Sequence, residues 1–191
     1  MERSKKMRKG GIGGANTKTG LAFEAKTDLA SFIAKQKGYK TISNDKGAKT
    51  VSRWIVEFQG EEIGEIFQKY GLYRYFDSID GYDYRKIISK KLLPDDAIFV
   101  ITKNTIYIIE KKSQEVVGSV DEKLQTCDFK KKQYTKLFAP LNKEVEYAYL
   151  LRTEWFSKPE YKDVLDYIIS VGCKYYFDYI PLDQLGLPMP E

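Results

Sequence analysis

Residues 94–112 read PDDAIFVITKNTIYIIEKK, in which two apolar runs flank a short polar segment. The runs, at residues 97–101 and 106–109, are rich in the β-branched and aromatic side chains that favour strands. Their spacing predicts a β-hairpin. Because both runs are apolar on either side of the pleat, we expect a central hairpin that is covered on both faces.

The open ends of this hairpin carry its charged residues. Glu110 and Lys112 are two residues apart on one strand and therefore share a face, while the lysine between them points to the other. A two-residue turn would place Asp95 opposite Lys112. A three-residue loop that ends at a left-handed Asn104 would instead place Asp96 opposite Glu110. The sequence leaves this register open, and we favour Asp95 as the acid that joins Glu110.

Two carboxylates and an amine at the ends of buried strands predict a metal site. Acids a few ångströms apart repel each other, and a divalent cation relieves that repulsion. Oxygen ligands favour Mg²⁺, for which Mn²⁺ can substitute. Such an ion lowers the pKa of a bound water, and Lys112 could orient or deprotonate the attacking water or stabilise the transition state. Asp95, Glu110 and Lys112 are thus the candidate catalytic residues; the alternative is a structural role, since charges at strand ends are common.

The chain contains no histidine, and this absence excludes several classes of enzyme. Histidine is the commonest general base near neutral pH and a common zinc ligand. Ser–His and Cys–His nucleophile systems, zinc hydrolases and nucleases with a histidine base are therefore excluded. Any hydrolytic chemistry must use carboxylates, lysine and a hard metal ion.

Length and composition predict a single soluble globular domain. With 191 residues, 42% hydrophobic and 31% charged, the chain can bury one core and is short for two. The apolar runs are too short to span a bilayer, and the basic N-terminal residues lead into glycines where a signal peptide would need an apolar stretch, so we expect a cytoplasmic protein. Cys127 and Cys173 lie far apart in apolar surroundings, which predicts buried free thiols. The formal charge of +5 suits a polyanionic partner.

Periodicity outside the hairpin predicts an α/β fold with a mixed central β-sheet flanked by helices. Residues 1–18 are basic and glycine-rich and are interpreted as a mobile arm. The predicted helices cover residues 19–38 (with Thr19 as the cap), 61–70 and 119–138, and a last helix has Pro159 near its start and Gly172 just past its end. The predicted strands cover residues 39–43, 145–151 and 175–180.

The motif residues resemble those of the PD-(D/E)XK nuclease superfamily. Pro94 and Asp95, the hairpin and the EKK at residues 110–112 match its short motif, and the order helix, strand, hairpin, helix, strand resembles its common core over roughly residues 20–151. The resemblance implies a restriction-endonuclease-like core. It also implies Mg²⁺-dependent hydrolysis of double-stranded DNA, most simply by a type II restriction enzyme of a restriction-modification system.

Further segments strengthen the resemblance to type II restriction endonucleases. NTKTGLAFE at residues 16–24 resembles their first-helix motif, in which a helix glutamate helps to hold metal or water. EKKSQ at 110–114, followed by GSVDEKL at 118–124, also resembles a restriction-enzyme segment. The metal ligands implied are Asp95, Asp96, Glu110 and Glu24.

Double-stranded DNA is the expected partner, and binding it requires cations along its phosphates. The candidate DNA contacts are Lys123, Lys130, Lys131, Ser119 and Arg74, the last from a segment that alternates aromatic and basic residues; a solvated helix face is the alternative for the lysines. Cutting both strands at a symmetric site favours a homodimer. Two rival functions remain, a structure-selective repair or junction nuclease and a non-catalytic DNA-binding subunit.

Overall fold

A mixed β-sheet of eight strands forms the centre of the described part of the protein. The computed structural model describes residues 11–12, 22–24, 28–45, 49–112 and 120–190. The strands are β1 (Gly11–Ile12), β2 (Ala22–Glu24), β3 (Tyr39–Ser43), β4 (Arg53–Phe58), β5 (Glu61–Phe67), β6 (Asp96–Val100), β7 (Thr105–Lys112), β8 (Glu144–Leu151), β9 (Lys174–Phe177) and β10 (Tyr179–Pro181). The α-helices are α1 (Leu29–Ala34), α2 (Gly71–Asp77), α3 (Val120–Leu124), α4 (Cys127–Phe138), α5 (Thr153–Phe156) and α6 (Lys162–Ser170).

The strand order in the sheet is β1-β9-β8-β7-β6-β5-β4-β3. Neighbours from β3 to β7 are antiparallel, whereas β7, β8, β9 and β1 run parallel. Parallel neighbours need a long crossover, which α3 and α4 provide between β7 and β8 and α6 provides between β8 and β9. Strands β2 and β10 form a separate antiparallel pair. The prediction of a mixed central sheet with helices around it is confirmed.

The sheet is buried on both faces. One apolar cluster joins Ile106 and Ile108 of β7 to helices α2, α4 and α6. The second joins Ile98 of β6 and Ile109 of β7 to helix α1 and to the turn at residues 182–185. The hairpin is therefore covered on both sides, as its two-sided apolar pattern predicts.

The predicted helix over residues 19–38 is wrong in its first part. Residues 22–24 form strand β2, which pairs with β10 so that Glu24 lies opposite Tyr179. The helix begins only at Leu29, where the Asp28 side chain accepts a hydrogen bond from the Ser31 backbone at 2.8 Å. Pairing with a distant strand outweighs the local helical periodicity here. The predicted cap Thr19 lies outside the described residues.

The interpretation of residues 1–18 as a mobile arm is wrong for Gly11 and Ile12. These two residues form β1 and pair in parallel with Tyr175 and Tyr176 of β9. Backbone pairing with the open edge of the sheet holds these residues in place. No side-chain pattern in the sequence predicts such pairing. The rest of the arm lies outside the described residues.

The predicted helix over residues 61–70 is also wrong, because residues 61–67 form strand β5. The register between β4 and β5 shifts at Val56 and Glu57, as in a β-bulge. Ile63 and Ile66 pack in the same apolar cluster although they are three residues apart. A bulge interrupts the alternation of side chains between the two faces of a strand. The apolar residues of β5 therefore show the spacing of a helix although they form a strand. Strand β4 was not predicted.

Two other predicted elements are interrupted in the structure. The helix expected over residues 119–138 is divided into α3 and α4 by a turn at residues 125–126. The strand expected over residues 175–180 is divided into β9 and β10 at Asp178, whose φ is +61°. The strands at residues 39–43 and 145–151 and the helix between Pro159 and Gly172 are confirmed.

Both cysteines are free and buried, which confirms the prediction of buried thiols. Across the described ranges, none of the helices has the length and apolar character required to span a membrane.

Candidate active site

The connection between the hairpin strands sets the position of the acids. Val100 pairs with Thr105 and Asp96 pairs with Ile109, so four residues, Ile101–Asn104, connect the strands. Asn104 adopts the left-handed conformation that closes this turn, with φ +48°. Both predicted registers are therefore wrong by one or two residues. The observed register points Asp95 toward Glu110.

The alternation of the strands separates the charged residues onto two faces. Asp96 is 1% exposed and lies with Lys111, whose Nζ is 2.7 Å from Asp96 Oδ2. The Gln68 side-chain amide also donates to Asp96 Oδ1 at 2.8 Å. Asp96, which we expected as a metal ligand, therefore lies on the opposite face from Glu110 and is already satisfied by internal partners.

Asp95, Glu110 and Lys112 come together on the other face. Lys112 Nζ lies 2.9 Å from Glu110 Oε2 and 3.9 Å from Asp95 Oδ2. The Lys111 backbone N–H donates to Asp95 Oδ2 at 2.9 Å, which fixes this carboxylate beside the end of β7. Two of the three candidate catalytic residues, Asp95 and Glu110, thus lie near the ammonium group of the third, Lys112.

Two further lysines complete this group of charges. Lys69 follows β5, contacts Asp95 Oδ1 through its ammonium group and donates its backbone N–H to the Pro94 carbonyl at 3.0 Å. Lys130 of α4 places its Nζ 3.3 Å from Glu110 Oε2. The role of Lys69 could not be predicted from the sequence, because the residues of β5 show helical spacing and were expected to form a helix. Lys130 was expected only as a DNA contact.

These cations decide the ionisation of Asp95. Burial raises the pKa of this carboxyl, but the hydrogen bonds from Lys69 and the Lys111 backbone and the charge of Lys112 outweigh burial. The pKa of Asp95 is therefore lowered, and the group is a carboxylate at neutral pH.

Aromatic residues form the wall beneath the acids. Tyr134 of α4 and Tyr147 of β8 are fully buried, and within the described ranges neither hydroxyl has a hydrogen-bond partner. Burial, and next the negative charge of Glu110, raise the pKa of both phenols, which therefore stay neutral. An apolar wall of this kind strengthens the interactions among the charges above it.

Asp95 and Glu110 are the residues on this face that could hold a hard divalent cation. Among the described residues, no group of three or more His, Cys, Asp or Glu side chains is placed to hold a metal. Mg²⁺, however, is commonly held by one or two carboxylates together with water and substrate phosphate, and Asp95 and Glu110 supply two carboxylates. Glu24 is described by its backbone alone, so its expected part in metal binding stays a prediction.

Two of the expected DNA contacts, Arg74 and Lys131, are engaged by groups other than Asp95 and Glu110. The guanidinium of Arg74 forms a bidentate contact with Asp45, with its Nε at 3.0 Å from Oδ1 and an Nη at 2.8 Å from Oδ2. Lys131 donates to the Gly172 carbonyl at 2.6 Å. Lys123 is exposed on α3, and Ser119 lies outside the described residues.

Comparisons of this chain with protein families, with curated proteins and with solved structures yield no match.

Proposed function

We propose that this protein is a Mg²⁺-dependent endonuclease that hydrolyses phosphodiester bonds of double-stranded DNA. One observation carries the proposal. Two carboxylates at the open end of one hairpin, Asp95 just before β6 and Glu110 on β7, share the ammonium group of Lys112. The chain has no histidine, so carboxylates and lysines are left to act as acids, bases and metal ligands. Asp95, Glu110 and Lys112 together offer the chemistry that phosphodiester hydrolysis requires.

The topology around these residues supports a restriction-endonuclease-like core. The antiparallel strands β5, β6 and β7 are followed by α4 and by β8, which is parallel to β7. This arrangement resembles the common core of the PD-(D/E)XK nucleases, in which the acids and the lysine lie on the second and third strands. We propose a sequence-specific type II restriction enzyme that acts as a homodimer.

Asp95 and Glu110 would hold the cation in this mechanism. The bound Mg²⁺ would activate water and offset the charge that develops on the phosphate. The lowered pKa of Asp95 keeps one ligand ionised without a metal. Lys112 lies between the two ligands, where its ammonium group can orient the attacking water or stabilise negative charge on the phosphate.

The test is incubation of the protein with long duplex DNA and Mg²⁺, with EDTA as the control, followed by sequencing of the ends. We expect discrete fragments that depend on the metal. Cutting of branched or flapped DNA alone would indicate a structure-selective nuclease, and no cleavage of any substrate would indicate a non-catalytic DNA-binding protein.

Substitutions connect that activity to the proposed residues. Glu110→Ala and Lys112→Ala should each lower the cleavage rate by at least about 100-fold, the scale of one lost acid–base or metal-binding group, while DNA binding is retained. Lys40→Ala is the matched control, because Lys40 pairs only loosely with Glu57 at 3.7 Å on β3 and β4. Cleavage at the wild-type rate by either active-site variant would refute the assignment.

A further inference from the structure

The side chain of Lys130 points from α4 toward the sheet. A lysine that only contacted phosphate from the helix surface would not need this orientation. The Lys130 side chain is 23% exposed, and it reaches the 8% exposed carboxylate of Glu110 from α4. The neighbouring lysines contact groups other than Asp95 and Glu110. Lys131 donates to the Gly172 carbonyl, and Lys132 donates to the Asp128 carboxylate. Lys130 is thus the member of the lysine triplet that faces the sheet.

Two ammonium groups converge on one oxygen of Glu110. Lys112 Nζ lies 2.9 Å and Lys130 Nζ lies 3.3 Å from Oε2. Like charges repel at such separations, and removing them from water costs further free energy. A single lysine would already neutralise Glu110. The second ammonium is therefore not needed to neutralise Glu110 in the metal-free state.

The charges balance differently once a metal and DNA are present. Without them, Lys69, Lys112 and Lys130 exceed Asp95 and Glu110 by one positive charge. A divalent cation adds to that excess and competes with Lys130 for the same carboxylate. A DNA phosphate supplies the negative charge that both cations then share.

Resting on the nuclease function proposed above, we propose that Lys130 couples metal binding to DNA binding. In the DNA-free protein, its ammonium group holds the Glu110 carboxylate and competes with the divalent cation. When DNA enters, Lys130 passes from Glu110 to a backbone phosphate beside the scissile bond and leaves Glu110 to the metal. The protein therefore takes up Mg²⁺ weakly alone and more strongly on DNA.

The test measures metal affinity separately from cleavage. Lys130→Met keeps much of the length of the side chain and removes its charge. We expect this variant to bind Mn²⁺ in the absence of DNA on the order of tenfold more tightly by calorimetry, the effect of removing one adjacent charge from an ionic equilibrium. Its cleavage rate at saturating Mg²⁺ should fall by about tenfold or more, because the phosphate loses its cation.

Two variants serve as controls. Lys136→Met removes an equal charge from an exposed position of the same helix and should leave both Mn²⁺ affinity and cleavage unchanged. Lys130→Arg keeps the charge and should keep the wild-type Mn²⁺ affinity. If Lys130→Met does not fold, Lys130→Gln provides the neutral side chain for the same comparison.

The outcomes separate this inference from the proposed function. Unchanged Mn²⁺ affinity in the neutral variant overturns the inference, and so does cleavage at the wild-type rate by that variant. A wild-type protein that neither binds Mn²⁺ nor cleaves DNA would instead overturn the nuclease proposal itself.

Discussion

Neighbouring residues on a strand point to opposite faces, and this gives Asp95 and Asp96 different environments. Asp95 is partly exposed and contacts Lys69 and Lys112. Asp96 is buried between Lys111 and Gln68 on the other face. Of the two adjacent acids, Asp95 is therefore partly exposed beside lysines, whereas Asp96 is buried and holds strands together.

Substitution of the two acids should have opposite effects. Asp95→Asn should abolish cleavage and change the free energy of unfolding by less than about 1 kcal/mol, because its ion pairs are partly exposed. Asp96→Ala should lower the free energy of unfolding by about 3 kcal/mol, because it leaves a buried network without its carboxylate. Urea titrations and cleavage assays on both variants provide the comparison. The reverse pattern would show that Asp96 is the functional acid.

Strand β5 shows how one element positions the acids. Gly64 pairs with Val100, and a Cβ atom at residue 64 would lie 2.3 Å from the Phe99 carbonyl oxygen. The close approach of β5 and β6 brings Gln68 and Lys69, just beyond the end of β5, to the two aspartates. A residue without a side chain is therefore required at this point of the sheet.

Gly64→Ala should separate β5 from β6. We expect it to destabilise the protein by roughly 2–3 kcal/mol, the usual cost of overpacking, and to weaken cleavage by moving Lys69 from Asp95. Chemical denaturation measures the first effect, and Glu62→Ala, an exposed site on the same strand, is the control. Equal stabilities of the two variants would contradict the close approach.

Asp45 joins three elements through one carboxylate. It accepts hydrogen bonds from the backbone of Ser52 and Arg53 and from the Arg74 guanidinium, so it connects the loop after β3 to β4 and to α2. Burial raises the pKa of Asp45, but these hydrogen bonds and the charge of Arg74 outweigh it, and the pKa is lowered.

This network predicts a dependence of stability on pH. Because the folded-state pKa of Asp45 is below its unfolded value of about 3.9, its contribution is complete above that pH and is lost as the pH falls through the folded-state pKa. Asp45→Asn should cost about 2 kcal/mol at pH 7 and should lose less stability on acidification than the wild type. Denaturation series at pH 7 and below pH 4 measure both effects. An equal acid dependence in the two proteins would exclude this role.

At the scale of the whole molecule, the expected assembly is a two-fold dimer on DNA. One hairpin supplies one set of Asp95, Glu110 and Lys112, whereas cutting both strands of a symmetric site needs two such sets. Light scattering on the protein with cleavable duplex DNA and Ca²⁺ in place of Mg²⁺ should give two chains per duplex. One chain per duplex, with a single nicked strand as the product, would contradict the dimer.

Much of the fold and of the candidate site could be predicted from local patterns. The hairpin, its coverage on both faces and the shared face of Glu110 and Lys112 follow from the alternation of side chains along a strand, which is a property of the chain itself. The helices predicted over residues 19–38 and 61–70 failed at β2 and β5, because a distant strand pair and a bulge outweigh the local periodicity there.

By itself, the sequence determined a central hairpin with acids at its open end, a chemistry without histidine and two buried thiols. Only the tertiary structure decided the register, the separation of Asp95 from Asp96 and the approach of Lys69 and Lys130 to the carboxylates. The reason is physical. Alternation is set by neighbouring residues, whereas Lys69 reaches Asp95 and Lys130 reaches Glu110 only because β5 pairs with β6 and α4 packs on the sheet.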